Sequence, residues 1–103
     1  MTVDTVDAAQ LLVVRGEVDL ATVEAMRGKL TAALEHADKV VLDLREVTFM
    51  DTQGLAVVIE AQQSAADSGT RFVIVRAPEH VHRLFEMIGL ADRLTVVDDP
   101  AAA

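Results

Sequence analysis

The chain of 103 residues contains no cysteine, which excludes a disulfide framework, a thiolate nucleophile and a cysteine-based metal site. Basic residues are scarce as well: 9 Lys and Arg stand against 17 Asp and Glu, which gives a formal net charge of −8. This balance disfavours direct binding to nucleic acid, which demands clustered cations against its phosphates, and it disfavours an anionic membrane surface. A partner that carries a basic patch fits this charge better.

Long apolar runs are also absent. No uncharged apolar run approaches the roughly 18 residues that a membrane helix needs. Residues 1–7 lack a basic segment followed by an apolar stretch, so they do not form a secretory signal. We therefore expect a cytoplasmic protein that neither spans nor binds a membrane. The hydrophobic fraction of 51% predicts a globular chain, and the length predicts one domain over residues 1–103.

Signatures of catalysis and of metal binding are missing too. His80 and His82 are two residues apart, whereas a two-histidine metal site on a helix needs a spacing of about four. We expect these two and His36 to be surface residues. Ser64 and Ser68 lie late in a predicted helix with no Gly-x-Ser-x-Gly elbow, and the sequence has no Gly-rich phosphate loop. We therefore expect no enzyme activity, no catalytic residue, no cofactor and no metal ion.

Short apolar runs alternate with helical periodicities along the chain. Strands are predicted at 3–7, 10–15 (ended by Gly16), 39–44, 71–75 and 94–97. One helix is predicted after a cap at Asp19, a second from the Asp51-Thr52 pair to Asp67, and a third from Pro78 to Gly89. Leu90 is expected to pack back against the third helix, and residues 98–103 are expected to form a frayed tail. Their expected core positions are Leu20, Val23, Met26, Leu30, Ala33 and Leu34; Leu55, Val58, Ile59, Gln62 and Ala65; and Val81, Leu84, Phe85 and Ile88. This order predicts an α/β fold, a mixed sheet whose parallel pairs are joined by crossover helices.

An acid and a hydroxyl, Asp51 and Thr52, stand at the head of the second helix. Both residue types are good N-caps, because a side-chain oxygen accepts a free backbone N–H of the first turn. A helix N-terminus also favours negative charge beside it. A threonine hydroxyl on this strand-to-helix corner suits a phosphorylation switch, and it equally suits an ordinary cap.

Residues 43–55, Asp-Leu-Arg-Glu-Val-Thr-Phe-Met-Asp-Thr-Gln-Gly-Leu, resemble the signature of STAS-domain anti-sigma-factor antagonists. That signature has an aspartate followed by two small hydroxyl residues, then Gly-Leu-Gly and an apolar helix. Residues 16–19, Gly-Glu-Val-Asp, together with Thr22 resemble a second segment of the family, and residues 84–90 resemble its C-terminal helix ending. The three segments fall in the family order and cover nearly the whole chain.

The resemblance implies the STAS fold, a mixed sheet of four to five strands with three to four crossover helices. It also implies an antagonist that binds an anti-sigma factor, a serine/threonine kinase of the histidine-kinase-like ATPase fold, and so releases the sigma factor. Phosphorylation at Thr52 would switch the antagonist off, and a separate phosphatase would reverse it, with the antagonist a monomer or weak dimer. Two segments would contact the kinase: the start of the second helix, expected to be exposed from Gly54 through Val57, and the segment around Glu17. The partner-binding residues implied are Glu17, Asp19, Thr22, Asp51, Gln53, Gly54, Leu55 and Ala56.

Some positions depart from the family pattern. The acceptor is Thr52 rather than the commoner serine, Gln53 replaces the second hydroxyl residue, and Ala56 replaces a common glycine. An alternative is therefore an accessory STAS subunit of a lipid-transport ATPase or of a signalling scaffold, with Thr52 as a contact or a cap. A nucleotide-sensing STAS domain is a weaker alternative, because the sequence shows no phosphate cradle. Residues 17–22 are equally well interpreted as an ordinary loop and N-cap.

Overall fold

One mixed sheet organises the residues that the computed structural model describes, which are 1–5, 10–89 and 91–103. Its five strands lie side by side in sequence order. They are β1 (Thr2–Thr5), β2 (Leu11–Val18), β3 (Lys39–Met50), β4 (Arg71–Val75) and β5 (Thr95–Val97). The first pair is antiparallel and each later pair is parallel. The helices that join the parallel strands are α1 (Val23–His36), α2 (Thr52–Ser68) and α3 (Glu79–Met87), and short 3-10 turns occupy Ala91–Arg93 and Pro100–Ala102. The predicted α/β fold is confirmed.

The main core lies between the sheet and the three helices. Parallel strands that advance in one direction with right-handed crossovers place every connecting helix on the same face. Alternate strand residues such as Val14 and Leu42 are fully buried in one cluster with Met26 of α1, Val58 of α2 and Phe85 of α3. The three helices therefore cover one face of the sheet, and within the described part of the chain no α-helix covers the other.

The helix-free face carries a second, smaller apolar cluster. Val41, Val73 and Val75 form it, and Ala103 at the end of the chain packs against it. Asp43, only 2% exposed, belongs to the same alternating set of β3 as Val41. Its carboxylate accepts hydrogen bonds from the Arg45 backbone N–H at 3.0 Å and from the guanidinium at 2.9 Å. This hydrogen-bonded carboxylate holds the pKa of the Arg45 guanidinium above its ordinary value.

The largest errors among the predicted boundaries concern β2, β3 and α1. β2 continues past Gly16, which takes a positive φ of 90° that glycine adopts without strain, and ends at Val18. β3 runs to Met50 rather than to residue 44, since it stays paired with β2 through two register shifts. α1 begins at Val23 rather than directly after Asp19, because Asp19 forms a separate hydrogen-bonded turn before the helix.

Several predicted surfaces also differ. His82 was expected at the surface but is only 6% exposed and packs beside the Phe85 ring, because it lies on the core side of α3. Leu20 and Ile88 were expected in the core but are exposed, since each lies outside the bounds of its helix. The predicted frayed tail instead contains a 3-10 turn, and the Asp99 carboxylate caps it by accepting a hydrogen bond from the Ala101 N–H at 2.8 Å. Residues 6 and 7 of the first predicted strand, and the predicted packing of Leu90, lie outside the described residues.

Candidate functional site

The corner between β3 and α2 is fixed by the Asp51 backbone and carboxylate. Asp51 is the N-cap of α2: its Oδ1 accepts hydrogen bonds from the Gln53 N–H at 2.9 Å and the Gly54 N–H at 3.2 Å. These are two of the backbone donors that a helix start otherwise leaves free. The Asp51 N–H donates to the Val18 carbonyl at 3.1 Å and so ties the corner to the end of β2. The prediction that Asp51 caps this helix is therefore confirmed.

Thr52 is the first residue of α2 and is exposed. Gln53 and Ala56 are exposed on the same first turns of the helix. The positive end of the helix dipole lies at this point, so an added negative charge at Thr52 is electrostatically compatible with the helix. The arrangement thus presents one hydroxyl to solvent on a braced backbone.

Gly54 is buried because α2 starts in close contact with the strand ends. A Cβ built on Gly54 would lie 2.6 Å from the Met50 Cγ and 2.9 Å from the Val18 Cγ1, which is closer than side chains tolerate. Leu55 and Val57 are buried too. The expectation that these three residues form an exposed helix start is wrong, because they make the face of α2 that packs on the core.

The turn between β2 and α1 is a small hydrogen-bonded unit. The Asp19 Oδ1 accepts from the Ala21 N–H at 3.0 Å and the Thr22 N–H at 3.2 Å. The Thr22 hydroxyl accepts from the Asp19 N–H at 3.0 Å and donates to the Glu17 carbonyl at 3.1 Å. Thr22 is the N-cap residue of α1 by position, yet its side chain makes no capping bond to the helix. The side chains of Asp19 and Thr22 therefore hold the turn, and Leu20 at its tip is 72% exposed.

The structure brings this turn beside the Asp51-Thr52 corner. In the pairing of β2 with β3, Glu17 lies opposite Phe49 and Val18 lies opposite Met50. Both strands therefore end at the same edge of the sheet, one followed by the turn and the other by the corner. Two of the three segments that carry the family resemblance, residues 16–19 with Thr22 and residues 43–55, are therefore neighbours in space.

Two exposed apolar residues of this edge were not among the predicted site residues. Phe49 is 49% exposed and Leu20 is 72% exposed. Another missed contact is a 2.8 Å hydrogen bond between His80 Nε2 and the Thr48 carbonyl. The sequence does not distinguish a large apolar residue at the surface from one in the core, so only the burial in the folded chain identifies Phe49 and Leu20.

Among the described residues, no group of His, Asp and Glu is arranged to hold a metal ion. In the same residues, no helix combines the length and the apolar composition needed to cross a membrane.

Comparisons with known proteins agree with this geometry. The family model described as "Mlab, STAS domain" matches residues 1–98. The anti-sigma F factor antagonist of Paenibacillus polymyxa is 29% identical over 97 residues, which cover 90% of this chain and 83% of that protein. The anti-sigma-B factor antagonist of Listeria monocytogenes is 30% identical over 84 residues, which cover 81% of this chain and 74% of that protein.

Solved structures agree on the fold. An anti-sigma factor antagonist from Mycobacterium paratuberculosis superposes with a TM-score of 0.85 at 22% identity, over 98% of this chain and 88% of that one. The unphosphorylated form of the anti-sigma factor antagonist SpoIIAA superposes with a TM-score of 0.76 at 20% identity, over 98% of this chain and 90% of that one. The sheet order, the helix placement and the family match lead to one conclusion: the chain belongs to the STAS domain family.

Proposed function

We propose that this protein is an anti-sigma-factor antagonist, a non-enzymatic binding module that phosphorylation of Thr52 switches off. The observation that carries the proposal is the exposed Thr52 at the first position of α2, beside an Asp51 that caps the helix. Relatives named as anti-sigma-factor antagonists support it. In this proposal the partner is an anti-sigma factor, and the protein acts with it in the cytoplasm.

The binding surface in this proposal has two parts. The exposed residues Thr52, Gln53 and Ala56 present the start of α2, and Glu17 and Asp19 present the neighbouring turn. The unphosphorylated surface docks on an anti-sigma factor of the histidine-kinase-like ATPase fold and displaces the sigma factor. Asp51, Thr22, Gly54 and Leu55 act from behind this surface, since their contacts hold the corner and the turn in place.

A phosphate on Thr52 adds nearly two negative charges at pH 7. The helix N-terminus tolerates that charge, so the domain stays folded. In the docked complex the same phosphate would lose its water, and desolvating a dianion at an interface costs several kcal/mol unless it is fully paired. Binding is therefore lost while the fold is kept, and a separate phosphatase restores it.

The acceptor residue shapes which kinase can act. The Cβ methyl of Thr52 stiffens the side chain and crowds the hydroxyl relative to serine. We expect a kinase whose active site accommodates threonine, and Thr52→Ser remains a substrate for it.

The test uses the purified histidine-kinase-like anti-sigma factors encoded by the source organism, each titrated with wild type, Thr52→Glu and Thr52→Ser. We expect one of them to bind wild type and Thr52→Ser, and to lose at least about tenfold in affinity, or about 1.4 kcal/mol, for Thr52→Glu. Thr31→Glu places the same charge at an exposed threonine within α1 and should bind like wild type. Incubation with ATP should add a phosphate that mass spectrometry locates on Thr52. Equal binding of wild type and Thr52→Glu would contradict the switch.

A second candidate is an accessory STAS subunit of a lipid-transport ATPase or signalling scaffold. Gln53 favours it, because the second hydroxyl of the antagonist signature is missing there. In that case wild type and Thr52→Glu used as parallel baits should retain the same membrane ATPase or scaffold from a native lysate.

A further inference from the structure

The end of β3 contains two extra residues relative to its partner strand. Up to Val13 and Asp43 the pairing of β2 with β3 is regular, but Arg15 lies opposite Glu46, and Glu17 lies opposite Phe49. The second shift falls between Gly16 and Glu17, where β3 passes from Val47 to Phe49. β-bulges of this kind re-aim side chains and are frequent beside functional sites.

The second bulge decides which side chain faces solvent. Val47 is fully buried on the helix side, so strict alternation would bury Phe49 with it and expose Met50. The structure has the reverse, with Phe49 49% exposed and Met50 3% exposed. The extra residue thus turns an aromatic side chain out of the core three residues before Thr52.

Hydrogen bonds on both sides hold Phe49 in this position. On one side His80 Nε2–H donates to the carbonyl of Thr48 at 2.8 Å. On the other, the Asp51 N–H donates to the Val18 carbonyl at 3.1 Å. An exposed anchor on a braced backbone loses little conformational entropy on binding, which favours affinity.

The segments next to Phe49 carry one exposed apolar residue and several acidic residues. Leu20 lies at the tip of the adjacent turn. Glu17 is opposite Phe49, and Asp19 and Asp51 hold the two flanking segments. The arginines of these two strands are engaged elsewhere: Arg15 pairs with Asp4 and Glu46, and Arg45 pairs with Asp43.

We infer that Phe49 and Leu20 are the apolar anchors of the partner surface, and that they enter an apolar depression on the anti-sigma factor that is rimmed by Lys and Arg where it faces Glu17 and Asp19, but not where it faces Thr52. This inference rests on the proposed function and adds the chemistry of the partner's site. Aromatic residues at the centre of an interface are typical binding hot spots, and the acids Glu17 and Asp19 on the adjacent strand end and turn call for basic residues on the facing part of the partner.

The test measures the affinity of the same purified anti-sigma factors for Phe49→Gln, Leu20→Gln and Phe49→Leu. We expect Phe49→Gln to weaken binding at least about 30-fold, as loss of a hot spot does, while Phe49→Leu retains most of the affinity. Met87→Gln is the matched control, since Met87 is 75% exposed at the end of α3, and it should bind like wild type. Circular dichroism and urea unfolding confirm that each variant is folded.

The basic rim has its own readout. Raising NaCl from about 50 to about 300 mM should weaken wild-type binding, and Glu17→Gln should reduce that salt dependence. Salt-independent binding would contradict the basic rim.

The outcomes separate this inference from the proposed function. If Thr52→Glu loses binding while Phe49→Gln and Leu20→Gln bind like wild type, the anchors are wrong and the switch stands. If Met87→Gln is as damaging as Phe49→Gln, the effect is not specific to this edge and the inference is wrong. If wild type binds none of the anti-sigma factors, both proposals are wrong.

Discussion

Gly28 and Gly54 both lie inside helices, yet the space around them differs completely. A Cβ built on Gly28 meets no atom of the described residues within 4 Å beyond the nearby backbone of its own helix, while one built on Gly54 meets Met50 and Val18 below 3.0 Å. The atoms met at Gly54 are a mid-chain methylene and a methyl of a β-branched side chain, and neither can move away freely. Gly54 is therefore required by packing, and Gly28 is not.

This difference predicts opposite effects of one substitution. Gly54→Ala should lower the free energy of unfolding by about 2 kcal/mol, because it overpacks the junction between the strand ends and α2. Gly28→Ala should raise it by about 1 kcal/mol, because alanine has the higher helix propensity and the site is open. Urea unfolding of the two variants measures both values. A neutral Gly54→Ala would show that Met50 and Val18 give way easily.

At the scale of elements, the sequence predicts the type and order of the strands and helices but not the end of β3. The run at 39–44 contains three consecutive apolar residues, Val40, Val41 and Leu42, and is therefore recognisable, whereas the later part of the strand mixes charged, polar and apolar residues. Two bulges break its period of two, so the pattern resembles a loop. The start of α2 at Thr52 is predictable because its N-cap, Asp51, follows local rules, but the exposure of Phe49 depends on the pairing of β3 with β2.

The same bulged segment extends beyond the end of β4. The last β3 residue that pairs with β4 is Asp43, so the later residues pair with β2 on one side and meet α3 on the other, where His80 contacts the Thr48 carbonyl. The hydrogen bond from His80 therefore supports the side of β3 that has no neighbouring strand beyond Asp43.

We expect His80→Ala to lower the free energy of unfolding by about 1 kcal/mol, the usual net value of one hydrogen bond. Amide hydrogen exchange at residues 48–50 should become faster, because the bulge loses its support on one side. His36→Ala removes an exposed histidine at the end of α1 and is the control. Unchanged exchange at 48–50 in His80→Ala would mean that the pairing with β2 alone holds the bulge.

At the scale of the whole molecule, stability and the proposed binding surface are separate. The large core lies between the helices and one face of the sheet, and Thr52, Phe49 and Leu20 lie outside it at one edge. Substitutions at that edge can therefore change binding without removing core contacts. A switch that acts through charge requires this separation, because a phosphate that unfolded the domain would remove the binding surface altogether and could not act as a reversible switch.

We expect Thr52→Glu to leave the free energy of unfolding within about 0.5 kcal/mol of wild type, as surface substitutions usually do. The new carboxylate is favoured by the helix dipole and disfavoured by the neighbouring Asp51, so the two effects offset each other. Val57→Glu is the matched control: the same acid enters α2 at a buried position and should cost more than about 4 kcal/mol, because a charge is then buried without a partner. Urea unfolding measures both variants. A loss of more than about 2 kcal/mol in Thr52→Glu would mean that the charge acts by unfolding the corner, and lost binding by that variant would then no longer support a switch in a folded domain.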